Sequence, residues 1–207
     1  MSENNTAKIE RPISVVFFGV SGSGKGTQAI LLEDYLVRNT GEKVLRLEMG
    51  ERLRGFAAGN SDASRRVKGV MESGKLLPAF VPSHMMTTFF LGEFTGFEHL
   101  IFDGVARRIE QSSVLDDALV FYDRTDYQVI SLELSFNDAH ERLRLRGRSD
   151  EADEVKIKSR FAWYESEVLP ALHELEKRGR KVHRIDARPA IEVIHKNVLT
   201  ALGCEIT

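Results

Sequence analysis

The chain has 207 residues, 42% hydrophobic and 29% charged, which suits one compact domain with a sizeable core and excludes a disordered chain. Lys plus Arg number 29 against 31 Asp plus Glu, and this net charge of −2 argues against a coat for long nucleic acid or a polybasic membrane binder. The single cysteine, Cys204, excludes an intrachain disulfide and a cysteine-built zinc site.

Residues 1–12 are polar and read as a flexible tail without the apolar segment of a signal peptide. No apolar run approaches the ~20 residues of a membrane span, so the expectation is a cytoplasmic protein with one domain over 13–207. Ile13 to Phe18 is almost continuously apolar and ends at a glycine cluster, as a strand buried on both faces does. A helical pattern follows, with Leu31, Leu32, Tyr35 and Leu36 on one face, and Gly41 closes it. Further strands are predicted at Lys43 to Leu47, His99 to Phe102, Gln128 to Leu134 and Lys181 to Ile185. Helices are predicted near 82–94, 109–120, 137–146, 154–178 and 190–202, with a bend at Pro170. This alternation implies an α/β fold with five parallel strands and helices on both faces. Two stretches break it. Residues 50–81 are helix-like but interrupted by glycines and Pro78, and 147–153 form a short polar turn. Both are expected over the strand C-terminal ends, where such folds bind ligands.

The segment Gly19-Val20-Ser21-Gly22-Ser23-Gly24-Lys25-Gly26-Thr27 has the G-x-x-x-x-G-K spacing between a strand and a helix. In that setting, glycines let backbone N–H groups converge on phosphate oxygens, the helix N-terminus adds its positive end, and the lysine reaches the outer phosphates. The residue after Lys25 is Gly26, where most such loops carry a hydroxyl for Mg²⁺; the hydroxyl comes one position later, at Thr27. Magnesium is therefore expected to rest on phosphates and water, with Asp103, at a strand tip beside the loop, in its outer shell.

The stretch GVSGSGKGTQ at 19–28 resembles the phosphate loop of adenylate kinases and related nucleoside monophosphate kinases. So do, in order, MGERLR at 49–54, ESGKLLP at 72–78, FDGVARRIEQ at 102–111, RLRLRGRSDEAD at 142–153 and IDARPAIEVI at 185–194. The resemblance spans roughly 13–202. It implies a phosphate-loop NTPase fold of three layers, a core of 13–49 and 82–207, an acceptor-binding part at 50–81 and a minimal lid at 147–153, too short to hold zinc. It also implies phosphoryl transfer from ATP to a nucleoside monophosphate, with Mg²⁺ and no covalent nucleophile, by a monomer.

The resemblance assigns roles by position. Gly22, Ser23, Gly24, Lys25, Gly26, Thr27, Arg142, Arg146, Arg188 and Pro189 face ATP. Gly50, Arg54, Leu77, Gly104, Arg107, Gln111, Arg148 and Arg160 face the monophosphate. Lys25, Arg107, Arg142, Arg148 and Arg160 carry the transfer. Arginine suits such a clamp because its planar fork binds phosphate bidentately and keeps its charge. Arg144 falls on another helix face and is expected in solvent, as is Arg108. Three departures touch the acceptor side: DGVAR at 103–107 where the family has DGFPR, Met49 where it has threonine, and Glu51 where it has aspartate. The retained Gln111 favours AMP, with CMP, UMP, GMP and deoxynucleotides as alternatives. Two other functions compete: a small-metabolite kinase on the same core, and a catalytically weak nucleotide-binding regulator.

Overall fold

A computed structural model describes residues 11–146 and 153–204. Five strands, β1 (Ser14–Gly19), β2 (Val44–Glu48), β3 (His99–Asp103), β4 (Gln128–Glu133) and β5 (Lys181–Asp186), form one sheet in the order β2-β3-β1-β4-β5. Every pairing is parallel. The central strands β1 and β3 are buried along their whole length, and the edge strands β2 and β5 are largely half-buried or exposed. That gradient explains why the inner strands read as continuous apolar runs.

Successive side chains of β1 enter opposite cores. Val15 and Phe17 pack with Ile101, Ile130 and Leu132 beneath α1 (Lys25–Thr40) and α9 (Ile191–Leu202). Val16 and Phe18 pack with Phe102 and Val129 against α4 (Phe80–Gly92), α5 (Ile109–Phe121) and α8 (Leu169–Lys177). The result is the expected three-layer α/β/α arrangement. The excursion between β2 and β3 begins with α2 (Met49–Ala57) and α3 (Asp62–Glu72), followed by α4. Leu53 and Val67 root α2 and α3 in the second core.

The single helix predicted at 154–178 is three segments: α7 (Glu154–Trp163), a π-helical turn at Tyr164–Val168, and α8. Pro170 sits in the first turn of α8 and has no N–H to offer. Its ring would also crowd the carbonyl four residues back, and widening the preceding turn removes that clash without a sharp break. α6 (Phe136–Arg146) ends where the described residues end, so Arg148 and all of the expected lid but Asp153 lie outside them. Asp153 caps α7, its Oδ1 accepting from Val155 N at 2.9 Å.

β1 and β3 are neighbours, but α1 after β1 covers one face of the sheet and α5 after β3 covers the other. The crevice at their C-terminal ends is the natural ligand site of such a sheet.

Candidate active site

The loop after β1 bends at Gly22 and Gly24, both with positive φ (89° and 94°). A side chain on Gly22 would strike the carbonyl of Ala139 at 2.8 Å and Leu143 at 3.1 Å, so the loop lies directly on α6. No side chain caps α1 at Gly24, so its first-turn amides face the loop. Lys25 folds back over the loop, its Nζ donating to the carbonyls of Gly19 (2.8 Å) and Val20 (3.0 Å). Ser23 lies under the loop: its N–H donates to Val20 O at 3.1 Å and its side chain is buried against Gly19. Thr27 is exposed on the first turn of α1, whereas Gln28 is buried and donates from Nε2 to Ile191 O at 3.1 Å, tying α1 to α9.

Arg142 extends from α6 to the β5–α9 loop, its Nη2 donating to Ala187 O (2.7 Å) and Arg188 O (3.2 Å). Arg188 is exposed and grips Asp186 through Nε and Nη2, which holds that carboxyl down at about 2. Pro189 is half-buried beside it. Arg146 closes α6, but its side chain is outside the described set; Arg144 is exposed, as expected. The phosphate loop, Arg142 and the 186–189 loop thus form one continuous wall.

The other wall begins at Asp103, the last residue of β3. Gly26 comes so near that a Cβ there would stand 3.3 Å from Asp103 Oδ2, a close approach that glycine allows without any shift. Burial pushes the Asp103 carboxyl up, Lys25 pulls it back, and Glu48 pushes it further up. Asp103 is followed by a turn at Gly104 (φ +67°), over which Arg107 folds: its Nε donates to Gly104 O at 2.9 Å, and a Cβ on Gly104 would meet Nη2 at 2.8 Å. The Arg107 guanidinium also lies over the Trp163 ring, 5.6 Å from its centroid. Burial opposes its charge, Asp103 and Glu48 support it, and Arg160 and Arg54 push against it. Arg54, Arg107 and Arg160 therefore converge from α2, the β3–α5 loop and α7.

Gln111 is buried and its Oε1 accepts from Arg107 N at 2.8 Å, so this amide fixes the arginine's backbone. Leu77, Met49, Val105 and Ala106 are all buried in the core beneath α2 and α5, so the departures at 49, 105 and 106 lie within that core. Arg108, expected in solvent, is instead largely covered and pairs with Glu167 of the π-helical turn at 3.0 Å. Trp163 Nε1 donates to Gly74 O at 3.1 Å and joins α7 to the end of α3.

Glu48 is the residue that sequence reasoning missed. It ends β2 directly beside Asp103 in register. Its Oε1 accepts from Gly50 N (2.9 Å), and its Oε2 from Glu51 N (2.7 Å) and Arg54 Nη2 (2.9 Å). A Cβ on Gly50 would lie 2.6 Å from Glu48 Oε1 and 2.9 Å from Arg54 Nη1, so a side chain there would displace the ends of this pair. Acids ending two adjacent strands were the available signal.

Among the described residues no group of three or more His, Cys, Asp or Glu has the arrangement to hold a metal ion, and no helix is long and apolar enough to cross a membrane. The donors around the loop are cationic groups and backbone amides, a set suited to phosphates.

The sequence model of the adenylate kinase family matches residues 17–180. Similar curated proteins include the adenylate kinase of Corynebacterium urealyticum, 30% identical over 188 residues (91% of this chain, 98% of that one). Adenylate kinase 1 of Synechocystis is 29% identical over 184 residues (89% and 94%). That of Flavobacterium psychrophilum is 28% identical over 193 residues (90% and 96%). With a parallel five-stranded sheet, a phosphate loop after its central strand and an arginine cluster facing that loop, the chain belongs to the adenylate kinase family.

Proposed function

We propose that the chain transfers a phosphoryl group from ATP to AMP, giving two ADP. The observation that carries this reading is the pair of cationic walls on either side of Asp103: Lys25 and Arg142 on one, Arg54, Arg107 and Arg160 on the other. Two anionic substrates need two such walls. A neutral alcohol acceptor would need a base for its proton and would leave the second wall unpaired, which disfavours the small-metabolite reading.

In this reading the phosphate-loop amides and Lys25 take the ATP phosphates, and the 186–189 loop lies along the donor base. Arg54 and Arg107 hold the acceptor phosphate, with Gly50 and Gly104 giving them room. Gln111 and Leu77 support that side. Arg142, Arg146, Arg148 and Arg160 neutralise charge on the transferring group. The acceptor oxygen is already anionic, so no side chain has to take a proton. Positioning and electrostatics supply the rate. Magnesium travelling with ATP would neutralise phosphate charge, and Asp103 fits an outer-shell role, being a carboxylate at the loop. The stretches 50–81 and 147–153 are the parts proposed to close on substrates and exclude water. Incubation with ATP, Mg²⁺ and each monophosphate in turn tests the reading: ADP should form fastest with AMP. ATP binding without AMP-dependent ADP production refutes it.

A further inference from the structure

We propose that Glu48 is an internal anion that competes with the acceptor phosphate for Arg54 and for the first amides of α2, and so sets the acceptor affinity. The inference rests on the acceptor site being where the previous section puts it.

Glu48 accepts from two backbone amides at a helix start and from a guanidinium, all at 2.7–2.9 Å. That donor set is the one a phosphate group seeks. Glu48 is also enclosed, its side chain only 23% exposed, while Arg54 is 56% exposed and accessible to an incoming ligand. Position reinforces chemistry. Glu48 stands beside Asp103 in register, and its charge reaches both Asp103 and Arg107. A phosphate drawn to Arg54 and Arg107 thus arrives next to a carboxylate already holding one of them. Either Arg54 changes partner or the two anions share it, and both weaken acceptor binding relative to a site without Glu48. A helix cap alone would not require the arginine contact, because a shorter serine, threonine or aspartate satisfies the same amides.

The test compares Glu48→Gln and Glu48→Ser with the unchanged protein. Serine preserves a good cap for α2 and cannot reach Arg54. AMP is titrated alone by calorimetry and by the fluorescence of Trp163, the chain's single tryptophan, which lies against Arg107. Both variants should bind AMP about tenfold more tightly, the scale of one 1.4 kcal/mol contact. The KM for AMP should fall in parallel, with the affinity for ATP unchanged. In an Arg54→Gln background the gain should vanish, since the competed group is gone. Unchanged or weaker AMP binding in both variants overturns the proposal and leaves Glu48 a structural cap. An unchanged protein that binds ATP but neither binds nor phosphorylates AMP overturns the acceptor reading itself, and this inference with it.

Discussion

Arg107 offers the sharpest perturbation of the acceptor wall. Its guanidinium is fixed by Gly104 O at 2.9 Å and by the Trp163 ring at 5.6 Å, and its backbone by Gln111 at 2.8 Å. Such a preorganised cation should be worth what one electrostatic donor is worth in a transition state, about 2.7–4 kcal/mol, so Arg107→Ala should lower turnover by about 10²–10³. Folding should suffer little. The cation–π contact contributes about 0.5–2 kcal/mol. Against that, burial already opposes the guanidinium's charge, and Lys25 and Arg46 still offset Asp103. A net loss of about 1 kcal/mol moves the melting temperature only about 2–4 °C in a chain this size. Arg107→Lys keeps the charge but loses the fork and the Nε bond, so it should still cost about tenfold or more. Coupled ADP formation and a thermal melt measure the two quantities separately. Turnover of Arg107→Ala within about threefold of the unchanged protein, which is under 1 kcal/mol, would refute the assignment.

Three further predictions concern the donor wall and the scaffold. Lys25→Ala should lower turnover by at least about 10²-fold, and near-normal rates would show that the loop works without its ammonium. Asp116 accepts from Tyr127 OH (2.8 Å), Arg180 Nε (2.6 Å) and Arg178 Nη1 (3.2 Å), so Asp116→Ala should destabilise by about 3–5 kcal/mol in a denaturant melt. Burial works against its charge, but those donors outweigh it and hold the carboxyl below its ordinary range. Its contribution is thus present above the unfolded value near 3.9 and disappears as pH falls through the native one, and the variant should show a flatter acid limb. Cys204 is buried, which pushes its thiol up to about 11; a thiol reagent at pH 8 should label it only as fast as the protein unfolds, and rapid labelling of folded protein would contradict that burial.

Much of this architecture is legible along the chain because strands buried on both faces must be apolar throughout. β1 and β3 were predicted for that reason, and both are wholly buried. The phosphate loop is legible because its glycines, lysine and flanking elements are contiguous. What escapes is contact between segments remote in sequence. Glu48 meets Asp103 only because β2 and β3 pair in a particular register, and ending β2 one residue early removed Glu48 from view. Met49, Val105 and Ala106 look alike as pocket wall or core filling, and their burial in one cluster with Leu77 is compatible with both. Gln28 and Gln111 show the same ambiguity in polar residues. Gln28 fixes the Ile191 carbonyl on a remote helix and Gln111 the nearby Arg107 N–H, and side-chain type alone does not distinguish either from contact with a ligand.

In a chain of net charge −2, the described cations of the site each rest on a group of the protein itself. Lys25 rests on two loop carbonyls, Arg54 on Glu48, Arg107 on Gly104 O and Trp163, Arg142 on Ala187 O, and Arg188 on Asp186. Each of these groups already has an internal acceptor, which offsets part of the repulsion that Arg54 and Arg160 exert on Arg107. Nucleotide binding is then an exchange of partners, and its free energy is the difference between phosphate contacts and the internal ones they replace. A single small anion can displace only one such partner and gains little. A polyphosphate that reaches several cations at once gains from each exchange while losing its translational freedom only once. On the proposed roles, the internal acceptors would act as a filter: they would weaken every anion somewhat, and weaken least the ligands long enough to span the crevice beside Asp103.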